Sequence, residues 1–153
     1  MEIRKDDLSH PQTIELLRFH LVGMHENSPP GHVFALDLSG LRTPDVTVWT
    51  LWHGDRAVGI GALKQHDDNV GEIKSMRTRP EALRQGVGAK LLEHIITVAR
   101  ERGLQQLSLE TGSGDSFEPA LALYRGYGFQ NGLAFANYEA SDFNQFLHLR
   151  LTD

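Results

Sequence analysis

Apolar residues recur along the chain at two different periods, and the switches between them mark the elements. Ile3–Asp6 reads as a short first strand. Behind His10-Pro11, the residues Ile14, Leu17, Leu21 and Met24 repeat at helical spacing. Ser28-Pro29-Pro30-Gly31 stops that helix. A second short helix is expected over Val33–Leu41, ended before Pro44. From Val46 the period changes: Val46–Trp52 is rich in β-branched and aromatic residues, and Ala57–Leu63 follows across a turn at His53–Arg56. The two read as a hairpin. A polar turn over Gln65–Asn69 leads to a third strand of this group, Val70–Thr78.

Gly86–Arg102 carries the strongest helical pattern, with Val87, Leu91, Ile95 and Val98 on one side and Gly103 as a stop. Leu104–Thr111 alternates like a strand. Ser116 can cap a helix that opens with Pro119, runs through Ala120, Leu123 and Tyr124, and ends near Gly126–Gly128. A final strand over Gln145–Leu151 is expected to pair with one near Leu133–Tyr138. The order of elements predicts an α/β fold in one domain over residues 1–153, without repeats or linkers.

Composition narrows the function classes. There is no apolar run of membrane-spanning length, and Met1–Asp6 lacks the apolar stretch of a secretory signal. The chain has no cysteine, hence no disulfide framework and no thiol nucleophile. A cytoplasmic protein with no membrane partner is expected. The net charge of −5 comes without a block of Lys and Arg, so no nucleic-acid partner is expected, and an acidic balance suits a cationic one. The histidines include no HExxH pair, and His20 and His25 are poorly spaced for one helix face, so no metal site is expected.

The chemistry lies in Glu72–Ala89: a strand, a short loop, then glycines that open a long helix. Glycines there let a backbone approach a ligand closely. A helix N-terminus presents unpaired N–H groups and partial positive charge, which suit a pyrophosphate. No Lys-Ser or Lys-Thr follows Gly88, so this is not a Walker A loop, and a third glycine for a GxGxxG fingerprint is missing. A glycine-rich turn without a ligand stays open on these residues alone.

Leu83-Arg84-Gln85-Gly86-Val87-Gly88 resembles the pyrophosphate loop in motif A of the GNAT superfamily of N-acetyltransferases. Both glycines match. Leu83 stands where Arg or Gln is usual, and Arg84 where many members have Gly. Ala120–Phe129 resembles motif B, with Ala120, Leu123, Tyr124, Gly128 and Phe129 in place and Phe117 at the position of its asparagine. The strings around Glu72–Thr78, Leu107–Gly112 and Ser116–Ala120 also look like those of bacterial YsnE-like GNAT proteins.

The resemblance implies a mixed central sheet of six or seven strands flanked by about four helices. It implies acetyl transfer from acetyl-CoA, as co-substrate, to an amine of a small molecule or peptide. Backbone groups of Met76, Arg77 and Thr78 would pair with the pantetheine arm, and Arg84, Gln85, Gly86, Val87, Gly88 and Ala89 would hold the pyrophosphate. Tyr124 would protonate the leaving thiolate. Glu72 would be the base, with Glu110 on the next strand as competitor. Strand alternation predicts 72, 74, 76 and 78 on one face, which would aim Glu72 into the cleft beside Met76. Met24, His25, Glu26, Phe135, Tyr138 and Phe143 are candidates to line the acceptor site. A non-catalytic acyl-CoA sensor of the same fold, a hydroxyl acceptor and a homodimer stay open.

Overall fold

The computed structural model describes residues 1–67 and 69–152. The turn expected over Gln65–Asn69 contains Asp68, which lies outside the described residues. Strands β1 (Glu2–Asp6), β2 (Val46–His53), β3 (Arg56–Gln65), β4 (Val70–Thr78), β5 (Gln106–Thr111), β6 (Gln130–Asn131) and β7 (Gln145–Arg150) form one sheet in the order β1-β2-β3-β4-β5-β7-β6. Every neighbouring pair is antiparallel except β4 and β5, which are parallel. Four α-helices accompany it among the described residues: α1 (Pro11–Asn27), α2 (Leu38–Leu41), α3 (Val87–Glu101) and α4 (Glu118–Gly126).

Local chemistry explains the starts of these helices. His10 Nδ1 accepts the N–H of Gln12 at 3.1 Å, and Pro11 takes a position whose missing N–H costs nothing. The buried stripe of α1 is Thr13, Leu16, Leu17 and His20, rotated from the expected one; Ile14, Leu21 and Met24 are half-buried. The helix expected over Val33–Leu41 shrinks to α2, because Asp37 caps it by accepting the N–H of Gly40 at 2.9 Å. Phe117, not Ser116, occupies the N-cap of α4; Ser116 sits in a 3-10 turn over Asp115–Phe117.

The strand expected near Leu133–Tyr138 does not form. β7 pairs with the two residues of β6 instead, and Gly132 donates its N–H to Phe146 O at the end of that ladder. Beyond it the chain leaves the sheet edge and lays Phe135 and Tyr138 over β7, edge-on to Phe146 or tilted against it.

The sheet has an apolar core on each side. Val87, Leu91 and Ile95 of α3 and Leu121 of α4 pack with Leu63, Ile73, Leu107 and Leu109 on one face. Leu16 and Leu17 of α1 and Leu41 of α2 pack with Val48, Ile60 and Ala62 on the other. No helix among the described residues is long and apolar enough to cross a membrane.

Candidate active site

The site begins where the sheet comes apart. β4 and β5 pair only through Val70↔Gln106, Gly71↔Leu107 and Glu72↔Ser108. Past that point β5 follows β7 through Thr111, while β4 follows β3 through Thr78. The facing edges therefore carry backbone N–H and C=O groups without a strand partner, and such groups seek a ligand or water. A cleft of about 160 Å³ opens between them.

A bulge sets what β4 presents there. Between Ile60↔Arg77 and Ala62↔Lys74, β4 spends one residue more than β3, and Ser75 takes a left-handed φ of 59°. An extra residue reverses the faces of all that follow. Before the bulge, Gly71 and Ile73 face α3, and Glu72 and Lys74 face the other way. After it, Met76 faces α3, lying where a Cβ on Gly61 would be 2.7 Å from its sulfur, while Arg77 turns to α1. The expected alignment of 72, 74, 76 and 78 is thus corrected: Glu72 and Met76 are on opposite faces. Ser75 Oγ is buried at the cleft with no hydrogen-bond partner among the described residues. Buried polar groups are nearly always satisfied, so this orphan marks a place for a ligand group or water.

On the α3 side, the cleft is lined by Met76, Thr111, Phe117, Ala120 and Tyr124. The Tyr124 ring is buried edge-on to Phe129, with centroids 5.6 Å apart. Burial raises its hydroxyl pKa, partly opposed by the positive charge of Arg77, and no hydrogen bond contributes. The phenol therefore stays protonated and available as a donor.

The Arg84–Ala89 loop lies at the N-terminus of α3. Arg84 has φ 63° and Gly86 φ 80°, two left-handed turns that swing the chain into the helix. Gly86 offers no side-chain cap, and the first hydrogen bond back to it comes from Lys90 N. The N–H groups of Val87, Gly88 and Ala89 are thus left for an anion. The side chains of Leu83, Arg84 and Gln85 are exposed.

The two glutamates separate on the α1 side. Glu72 is 2% exposed and both its oxygens are occupied. One is 2.9 Å from His66 Nε2; the other accepts from Lys74 Nζ at 3.0 Å and from Tyr138 Oη at 2.5 Å. It does not line the cleft. Glu110 does, and no hydrogen bond holds its carboxylate among the described residues. Burial, more than the charge of Glu72, pushes its pKa up to about 7, against the pull of Lys74. The carboxylate expected as competitor is the one with a free oxygen in the cleft.

Of the residues expected to line the acceptor side, Met24 does so, while His25 and Glu26 are exposed. Phe135 and Tyr138 belong to an aromatic cluster with Phe34 and Phe146, and Phe143 packs on Phe117 and His32. Sequence reasoning missed His20, Lys74 and Phe34. The period of α1 hints at His20, one turn after Leu16 and Leu17; nothing local announces Phe34.

A model of the acetyltransferase (GNAT) family matches residues 11–129, most of the chain and every residue that lines the cleft. The chain belongs to the GNAT family. The uncharacterized N-acetyltransferase YsnE of Bacillus subtilis is 50% identical over 138 residues, which are 90% of this chain and 91% of the relative. The crystal structure of a candidate acyl-CoA N-acyltransferase from Klebsiella pneumoniae superposes with a TM-score of 0.83 at 30% identity, covering 99% of this chain and 97% of the other. An aminoglycoside 6'-N-acetyltransferase complexed with coenzyme A shares the GNAT fold, with a TM-score of 0.76 at 14% identity over 100% and 98% of the two chains.

Proposed function

We propose that this GNAT protein transfers an acetyl group from acetyl-CoA to the amine of a small molecule or peptide, by direct attack in a ternary complex. The observation that carries the reading is the through-sheet cleft. Tyr124 of α4 and Glu110 of β5 both line it, and the loop that follows β4 leads to the uncapped N-terminus of α3.

The geometry suits a division of labour. The N–H groups of Val87, Gly88 and Ala89 hold the donor pyrophosphate, with Arg84 and Gln85 beside them. The free backbone edge of Met76, Arg77 and Thr78 pairs with the pantetheine arm, filling the ladder positions that β5 vacates. Glu110, on the acceptor side, takes a proton from the ammonium, directly or through water. The freed nitrogen forms a bond to the thioester carbon, and backbone N–H groups of the splayed strands stabilise the oxyanion. As the C–S bond breaks, Tyr124 gives its proton to the leaving sulfur, and the second proton that the nitrogen sheds on becoming an amide returns, through water, to the phenolate. Glu72 serves this arrangement from outside the cleft, by fixing Lys74 and Tyr138 rather than by handling the substrate proton.

The test is thiol release from acetyl-CoA across amines, amino acids and peptides, with longer acyl-CoAs in parallel. Release with any acceptor separates a transferase from a protein that only senses acyl-CoA. Absence of release from a protein that binds acetyl-CoA would refute the reading.

A further inference from the structure

The acceptor side of the cleft holds two side chains of opposite charge that do not meet. Glu110 has been described. Arg77 is the other, and it makes no ion pair with any carboxylate among the described residues. Burial lowers its pKa, as expected of a desolvated cation without a counter-charge. A desolvated charge is costly unless paired.

Three features hold that guanidinium by one edge. His20 Nδ1 accepts from Arg77 Nε at 3.0 Å. The imidazole is buried and neutral, its pKa pushed down to about 3 by burial and then by Arg77 and Lys74. Phe19 stacks under the group, with Cζ 5.5 Å from the ring centroid. Gly23 leaves room for it: a Cβ there would lie 3.2 Å from Nη2. A glycine inside a helix is less favourable than alanine, and here it makes the space that the guanidinium fills. The Nε edge is spent on His20, and no hydrogen bond uses Nη1 or Nη2 among the described residues. These are the nitrogens that bind a carboxylate through parallel hydrogen bonds.

Resting on the transferase reading, we infer that the acceptor is an amino acid or related amino carboxylate: Arg77 binds its carboxylate while Glu110 receives its ammonium. Lys74 does not compete as the anchor, because Glu72 and Tyr138 already hold it.

The experiment titrates α-, β- and γ-amino acids, and the carboxamide of each, into protein saturated with CoA, followed by calorimetry. At least one amino acid should bind about tenfold or more tightly than its carboxamide, the scale of a charge-assisted contact. Arg77→Met should abolish that preference, and Gly23→Ala, which displaces the guanidinium but favours the helix, should weaken it. Acetyl-CoA affinity should stay unchanged in Gly23→Ala. Carboxamides that bind as well as the acids, a preference that survives Arg77→Met, or no binding by any member would overturn the inference. Thiol release on the same panel keeps the two readings apart. Arg77-dependent binding without release would refute the transferase and leave the carboxylate site standing. Release only from amines lacking a carboxylate would do the reverse.

Discussion

Glu110→Gln separates the two carboxylates that the proposed chemistry could use. The side chain lines the cleft without a hydrogen bond among the described residues, and burial pushes its pKa up to about 7. A base with that pKa is about one-tenth ionised at pH 6 and nine-tenths at pH 8. The acid limb of kcat/KM should therefore rise about tenfold between those values and bend near pH 7. Glu110→Gln keeps the shape but cannot take a proton, so turnover should fall on the order of a hundredfold and the limb should vanish. Acetyl-CoA affinity should stay as it was, because the proposed donor contacts are backbone groups of β4 and of the α3 N-terminus and do not include the Glu110 side chain.

Glu72→Gln should behave differently. It leaves Lys74 buried beside a neutral amide, and breaking a buried pair costs on the order of 3 kcal/mol. In a domain of this size, that is a fall in Tm of roughly 6–12 °C. Turnover per folded molecule should change little. Stopped assays of thiol release from pH 5.5 to 9, with thermal melts of both variants, decide the matter. A full rate and an intact limb in Glu110→Gln, with both lost in Glu72→Gln, would refute this assignment and restore Glu72 as the base.

Tyr124→Phe keeps the ring against Phe129 and removes only the donor, so calorimetry should show normal acetyl-CoA binding while turnover falls about a hundredfold. Gly88→Val places a side chain among the N–H groups of Val87 and Ala89, with Leu123 Cδ2 3.2 Å from its Cβ; acetyl-CoA affinity should fall at least about tenfold with a smaller loss of stability, and equal affinities would remove the loop from the site. Two buried groups should make stability depend on pH in opposite senses. The Glu110 carboxyl ionises near 4.5 in the unfolded chain but near 7 in the folded one, so stability falls as pH rises through that window, and Glu110→Gln should flatten the fall. His20 takes a proton at about 6.5 when unfolded and at about 3 when folded, so stability falls as pH drops between those values; His20→Asn should blunt the loss, as melts between pH 3 and 7 would show.

The sequence by itself determined the parts whose signals are short-range. The period of α3, the hairpin of β2 and β3, and the strand-loop-helix run that places Gly86 and Gly88 at a helix N-terminus all arise from neighbours a few residues apart. So does the second motif, which puts Tyr124 on α4 ahead of Phe129. Tertiary structure decided which side chains share the cleft. One extra residue at Ser75 reverses the faces of β4, and alternation cannot reveal it, because a bulge is defined by the partner strand. That reversal puts Met76 towards α3 and Arg77 towards His20 and Gly23, 57 and 54 positions earlier in the chain. Glu72 reads as an available carboxylate until Tyr138, 66 residues away, closes over it. Glu110 acquires its basicity from burial between elements that are far apart in sequence. Propensity and period are properties of a local segment, whereas desolvation and ion pairing belong to the surroundings, and those exist only after the chain has folded.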